Sequence, residues 1–251
     1  MLGIRVQCID APLIPFAGRP IFKQHQKNYL YLIMKLLLTS GGVTNPGIYK
    51  ALVGLLGKPI EACKALFVPT AIYPFNGGAH MAYNAILGNG RSPLVKLGWK
   101  SLGVLELTTL PGLDKGVWLP QVEEADALLV WGGDPVYLAH WMQQSGLAEL
   151  LPTLNLVYIG VSAGSMATSA TVGETYRNPP VNCTNVLTSE DMVFAIPEGT
   201  VNRKFITAHG VGFVDFALIP HYGNPEHPDA SVDNAAVWAA KLPVPVYAID
   251  G

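Results

Sequence analysis

Ser162 stands in the run Tyr158-Ile159-Gly160-Val161-Ser162-Ala163-Gly164-Ser165-Met166-Ala167. The pattern is Gly-x-Ser-x-Gly, directly after an apolar run and directly before small residues. A strand that turns this sharply into a helix needs small neighbours around the central residue, and it lifts that residue's hydroxyl above the helix N-terminus. There the helix dipole and the amide of Ala163 can stabilise a developing oxyanion. The chemistry this pattern predicts is attack by the Ser162 hydroxyl on an acyl carbon. A plain strand–helix turn, or a glycine loop that holds phosphate, would use the same glycines. Ser165, one helical turn deeper, reads as a first-turn or packing residue.

A serine nucleophile needs a base and the base needs an orienting acid. Of six histidines, only His221 directly follows an apolar run, Phe216–Pro220, that reads as a buried strand; His209 is the reserve. By position Asp250 is the best orienting acid, since it ends the apolar run Val246–Ile249. Its rivals are Glu174, twelve residues after Ser162, and Asp215, just before the histidine strand. A second turn, Trp131-Gly132-Gly133-Asp134-Pro135, also ends a strand and opens a helix. Parallel strands end on one side of a sheet, so the Gly133 amide could supply the second oxyanion donor. The plainer reading of Asp134 is a helix N-cap. His221, Glu226, His227 and Asp229 could in principle gather a metal, but Pro228 breaks the helical spacing such sites often use. No metal and no cofactor is expected.

The elements that must position these residues are short. Apolar runs at 65–69, 104–107, 127–131, 156–160, 216–220 and 246–249 are bounded by Gly, Pro or Asp and read as strands buried on both faces. Helical segments at 44–56, 76–87, 135–146 and 165–171 lie between them. The alternation predicts a doubly wound, mostly parallel α/β sheet with helices on both faces. Residues 172–215 read as loops and a hairpin crossing the top of the sheet. Residues 1–33 lack periodicity, so the domain is expected to span 34–251, with 1–33 an N-terminal extension or a misassigned start.

The chain has 251 residues, of which 14% are charged, with a formal net charge of −2. So small a charge gives no field to draw in nucleic acid or anionic lipid. No run of 18 apolar residues predicts a membrane span. The three cysteines, Cys8, Cys63 and Cys183, form no CxxC pair, so a reducing, cytoplasmic setting is expected.

Five motifs together resemble the peptidase E (aspartyl dipeptidase) and cyanophycinase family of serine peptidases, whose fold is similar to the class I glutamine amidotransferases and so flavodoxin-like. They are L-L-L-T-S-G-G at 36–42, G-G-D-P-x-x-L at 132–138, Y-I-G-V-S-A-G-S at 158–165, P-H-Y-x-N at 220–224 and Y-A-I-D-G at 247–251. The resemblance implies Ser162 as nucleophile, His221 as base, Asp250 as orienting acid with Glu174 as fallback, and Gly133 and Ala163 as oxyanion donors. Amidotransferases carry cysteine at the elbow, so Ser162 argues against glutamine hydrolysis. The implied substrate is a small peptide with an acidic N-terminal residue. Its carboxylate would need a cation, and Arg177, Arg203 and Lys204 are the candidates, with Asp134 also counted among the substrate-binding residues. Two departures from the family pattern stand out. The Ser162–His221 spacing is long, and the chain is expected to lack the further C-terminal strand of the family. The expected partner is the peptide, with room for a homodimer. The competing reading is a catalytically inactive, ligand-binding or regulatory relative. An ordinary α/β-hydrolase esterase is disfavoured because its histidine follows its acid.

Overall fold

The structure, a computed structural model, describes residues 34–89 and 94–250. The expected extension, residues 1–33, lies outside them. The chain runs β1 (Lys35–Thr39), α1 (Pro46–Leu56), β2 (Lys64–Val68), α2 (Gly78–Ile86), β3 (Ser101–Val104), α3 (Lys115–Glu123), β4 (Ala127–Val130), α4 (Pro135–Gln144), α5 (Leu147–Leu150), β5 (Val157–Val161), α6 (Ala163–Met166), β6 (Thr171–Tyr176), β7 (Val186–Ile196), β8 (Gly199–His209), β9 (Ala217–Ile219), α7 (Val232–Ala239) and β10 (Val246–Ala248).

Strands β1-β5-β4-β2-β3 form a parallel sheet in that order. Every residue of β4 and β5 is buried. Side chains alternate between two cores, as a strand's period of two requires. Leu36, Leu66, Leu128 and Tyr158 join Trp118, Leu138 and Met142 on one face. Leu37, Phe67, Leu129 and Ile159 join Ile48 and Leu52 on the other. Helices therefore cover both faces, which makes the fold doubly wound. Strand β3 is the exposed edge. It lies earlier than the apolar run at 104–107, because Leu105 and Leu107 turn down into the core after the pairing ends.

Helix α1 begins where Asn45 accepts the Ile48 N–H at 3.0 Å and Pro46 opens the first turn, and it ends at Gly57 with φ 69°. Helix α3 escapes a propensity reading because it carries Gly116 and Pro120. Burial of Trp118 and Val122 holds it instead. Helix α6 is a single turn, shorter than the segment expected at 165–171, because the chain re-enters extended structure at Thr171.

The stretch 172–215 departs furthest from expectation. It forms an antiparallel sheet of order β6-β8-β7 whose β7 and β8 each run eleven residues. Phe194, Phe205 and Trp238 pack together beneath it. Strands β9 and β10 form a separate parallel pair.

Candidate active site

The carboxyl ends of β1, β4, β5 and β9 deliver the chemistry. Thr39 pairs with Val161, and the Ser162 N–H donates to the Thr39 carbonyl at 3.0 Å. Ser40 and Ser162 thus lie side by side, one step beyond the paired strands. On the other flank of β5, a Cβ on Gly132 would lie 3.3 Å from the Ser162 Cβ.

The elbow is sterically committed to its glycines. A Cβ on Gly164 would fall 2.2 Å from the Val130 carbonyl oxygen, and one on Gly160 would fall 2.8 Å from the Gly164 backbone. Ser162 itself has φ 50° and ψ −112°, a conformation L-residues rarely adopt. Ser165 is fully buried and locks the turn to β1: its hydroxyl donates to the Thr39 carbonyl at 2.7 Å and accepts the Thr39 N–H at 2.9 Å. That is the packing role expected of it.

His221 also has positive φ, at 59°. This backbone turn brings its Nε2 within 2.9 Å of the Ser162 Oγ. Its Nδ1 lies 3.2 Å from the Ser40 Oγ, and its own N–H donates to that same oxygen at 2.8 Å. The His227 ring stacks on it, with centroids 4.0 Å apart and planes 13° off parallel. Burial, and then His227, lower the His221 pKa to about 4, so the imidazole is neutral at ordinary pH.

These groups open onto a cavity of about 360 Å³ that Gly133, Asp134, Glu174, Arg177, Arg203 and Asp229 also line. Gly133 has φ 143°, and a Cβ there would fall 2.2 Å from the Ala71 carbonyl oxygen. Ala163 is the first helical residue of α6, where an amide has no intrahelical acceptor. Asp134 is buried and caps α4 by accepting the Tyr137 N–H at 2.9 Å, while the Tyr176 hydroxyl donates to it at 3.0 Å. Burial raises its pKa to about 6 against those hydrogen bonds. Glu174 is raised to about 8, chiefly by burial and further by Asp134 and Asp229, so it holds its proton at neutral pH.

Peptidase family S51 matches residues 36–250. The chain belongs to peptidase family S51, the peptidase E family. It is therefore a serine-type peptidase. Two solved structures share the fold. One is a candidate peptidase E protein from Listeria monocytogenes EGD-e, 18% identical, with a TM-score of 0.56 over 86% of this chain and 89% of that one. The other is a peptidase from an acI-B1 Actinobacterium, 21% identical, with a TM-score of 0.55 over 88% of this chain and 81% of that one. No curated protein sequence matches the chain.

Within this S51 fold the structure brings Ser162 and His221 together across 59 positions of sequence. Among the described residues, no carboxylate meets Nδ1, whose hydrogen-bond partner is Ser40. Asp250 is exposed just past Ile249, whose carbonyl accepts the Tyr222 N–H at 3.1 Å. Glu174 binds the Thr175 N–H at 2.7 Å instead. Asp215 is exposed. Of the expected cations, Lys204 pairs with Asp191 at 2.8 Å. Arg203 is largely buried and donates from Nε to Asp229 at 2.6 Å, and Arg177 is exposed at the cavity rim. Sequence reasoning missed Ser40 as part of the site, and took up His227 and Asp229 only as possible metal ligands beside His221. Ser40 stood in the quoted motif at 36–42, but a serine after a strand carries no chemical signature of its own. No helix among the described residues is long and apolar enough to cross a membrane.

Proposed function

We propose that this peptidase hydrolyses small peptides, dipeptides with an acidic N-terminal residue, through an acyl-enzyme on Ser162. The observation that carries the reading is the 2.9 Å contact between the Ser162 Oγ and the His221 Nε2. His221 takes the hydroxyl proton as the oxygen attacks the scissile carbonyl. The Gly133 and Ala163 amides receive the oxyanion. His221 then gives the proton to the leaving amine, and water repeats the sequence to release the acid. A neutral imidazole at ordinary pH suits a base.

Arg177 and Arg203 support the acidic preference, since both line the cavity. Arg203 is already held by Asp229, which leaves the exposed Arg177 freer to meet a substrate carboxylate. Asp134 and Asp229 line the same cavity and offer acceptors for a substrate's amino group. The test is hydrolysis of Asp-X dipeptides alongside covalent labelling by a fluorophosphonate. Ser162→Ala and His221→Ala should each abolish hydrolysis with the fold intact, and Arg177→Ala should raise KM for acidic-first peptides. A Ser162→Ala protein that still turns over would end this mechanism.

A further inference from the structure

We propose that Ser40 is the positioning residue of His221, so that a hydroxyl rather than a carboxylate fixes the imidazole for catalysis. The proposal rests on the acyl-transfer reading above.

The Thr39-Ser40-Gly41-Gly42 turn is clamped from three sides. Thr39 exchanges two hydrogen bonds with Ser165, its hydroxyl donates to the Gly160 carbonyl at 2.8 Å, and that hydroxyl accepts the Gly42 N–H at 3.0 Å. Ser40, 3% exposed, is thereby fixed against His221. Its Oγ meets two nitrogens of one residue, the His221 N–H at 2.8 Å and Nδ1 at 3.2 Å. The positive φ of His221 is what turns both toward the same oxygen. The imidazole therefore lies between two serine hydroxyls, Ser40 at Nδ1 and Ser162 at Nε2.

The chemistry assigns the proton. Nε2 must be bare to accept the Ser162 proton, so Nδ1 carries the ring hydrogen and donates it to the Ser40 Oγ. On attack the Ser162 O–H bond breaks, the oxygen bonds the acyl carbon, and the proton moves to Nε2. Nδ1–H stays on Ser40 throughout, and the Nε2 proton leaves with the amine. A carboxylate accepts only, and so forces this tautomer while stabilising imidazolium. A hydroxyl orients the ring and adds no counter-charge. The ring's other neighbours do not replace that charge at Nδ1: His227 stacks on its face, and Asp250 is exposed beyond Ile249. Asp134, Glu174, Arg177, Arg203, Glu226 and Asp229 share the cavity.

The experiment follows fluorophosphonate labelling of Ser162 in the full chain as a function of pH. Ser40→Ala should slow labelling by about tenfold or more, and Ser40→Thr, which keeps a hydroxyl, should restore most of the rate. Ser40→Asp should move the acid limb of the rate profile upward by about 1–2 pH units, as a new anion beside an imidazole does. That shift reports that position 40 faces Nδ1, and the threonine rescue separates an orienting hydroxyl from a serine that only fills space. Imidazole ¹⁵N shifts of the unaltered protein should show His221 protonated at Nδ1, whether or not any variant folds. Ser40→Ala labelling at the normal rate, an unmoved limb in Ser40→Asp, or a bare Nδ1 across the active range each overturns the proposal. An unaltered protein that takes no label at Ser162 overturns the acyl-transfer reading instead.

Discussion

His221 sits in surroundings that favour its neutral form, and two consequences follow at the scale of the residue. Its pKa is lowered from 6.5 to about 4, so as the proposed base it stays competent well into acid. The acid limb of kcat/KM should fall near pH 4 rather than near 6.5, as a pH–rate profile on Asp-X peptides would show. Unfolding frees the ring to protonate, so this group's contribution to stability is full above about 6.5 and is lost as pH falls toward 4. Glu174 runs the other way. Its folded pKa of about 8 exceeds the ordinary 4.5, so the fold prefers the protonated acid and stability declines as pH rises from 4.5 through 8. Glu174→Gln should flatten that decline in melting temperature against pH, and an unchanged slope would show that Glu174 is not its source. Ser162 and His221 were legible because each ends an apolar strand. Asp250 ends one too, yet order along the chain does not report which way a carboxylate finally faces.

At the scale of the element, the elbow depends on contacts that tolerate no added atom. Gly164→Ala should destabilise the protein and abolish labelling together, because the new methyl meets the Val130 carbonyl. Ser165→Ala removes two buried hydrogen bonds to Thr39. At about 1 kcal/mol net each, with a further cost for groups left unpaired, about 2–3 kcal/mol should disappear from a denaturant-derived stability. Strands β2, β4 and β5 were readable to within a residue, since burial on both faces leaves a continuous apolar run. The antiparallel strands β7 and β8 were not. Much of β7 is exposed, so Ser189, Glu190 and Asp191 look like loop. Their pairing comes from the partner strand, which sequence composition does not display.

At the scale of the molecule, an enclosed ion pair helps fasten the antiparallel sheet to the catalytic edge. Arg203 of β8 meets Asp229 of the turn Pro228–Ala230, with side chains 9% and 16% exposed. Thr175 of β6 donates to the same carboxylate oxygen at 3.0 Å. Breaking so enclosed a pair from one side leaves a charge unmatched, and Arg203→Ala should cost about 3 kcal/mol in chemical denaturation. Loss of less than about 1 kcal/mol would mean that the sheet is secured by its other ties, the packing of Phe205 and Trp238 and the hydrogen bonds of Asn234 to Ala195 among them.

The left-handed backbone at Ser162 also implies an antagonism between durability and work. Glycine accepts that geometry freely, whereas a serine held there stores strain of about 1–3 kcal/mol. Ser162→Gly should yield an inert protein that survives warming better than its parent, by about 2–4 °C for each kcal/mol released. Toughness alone would favour glycine at this position, and the serine that stands there instead fits the nucleophile proposed above.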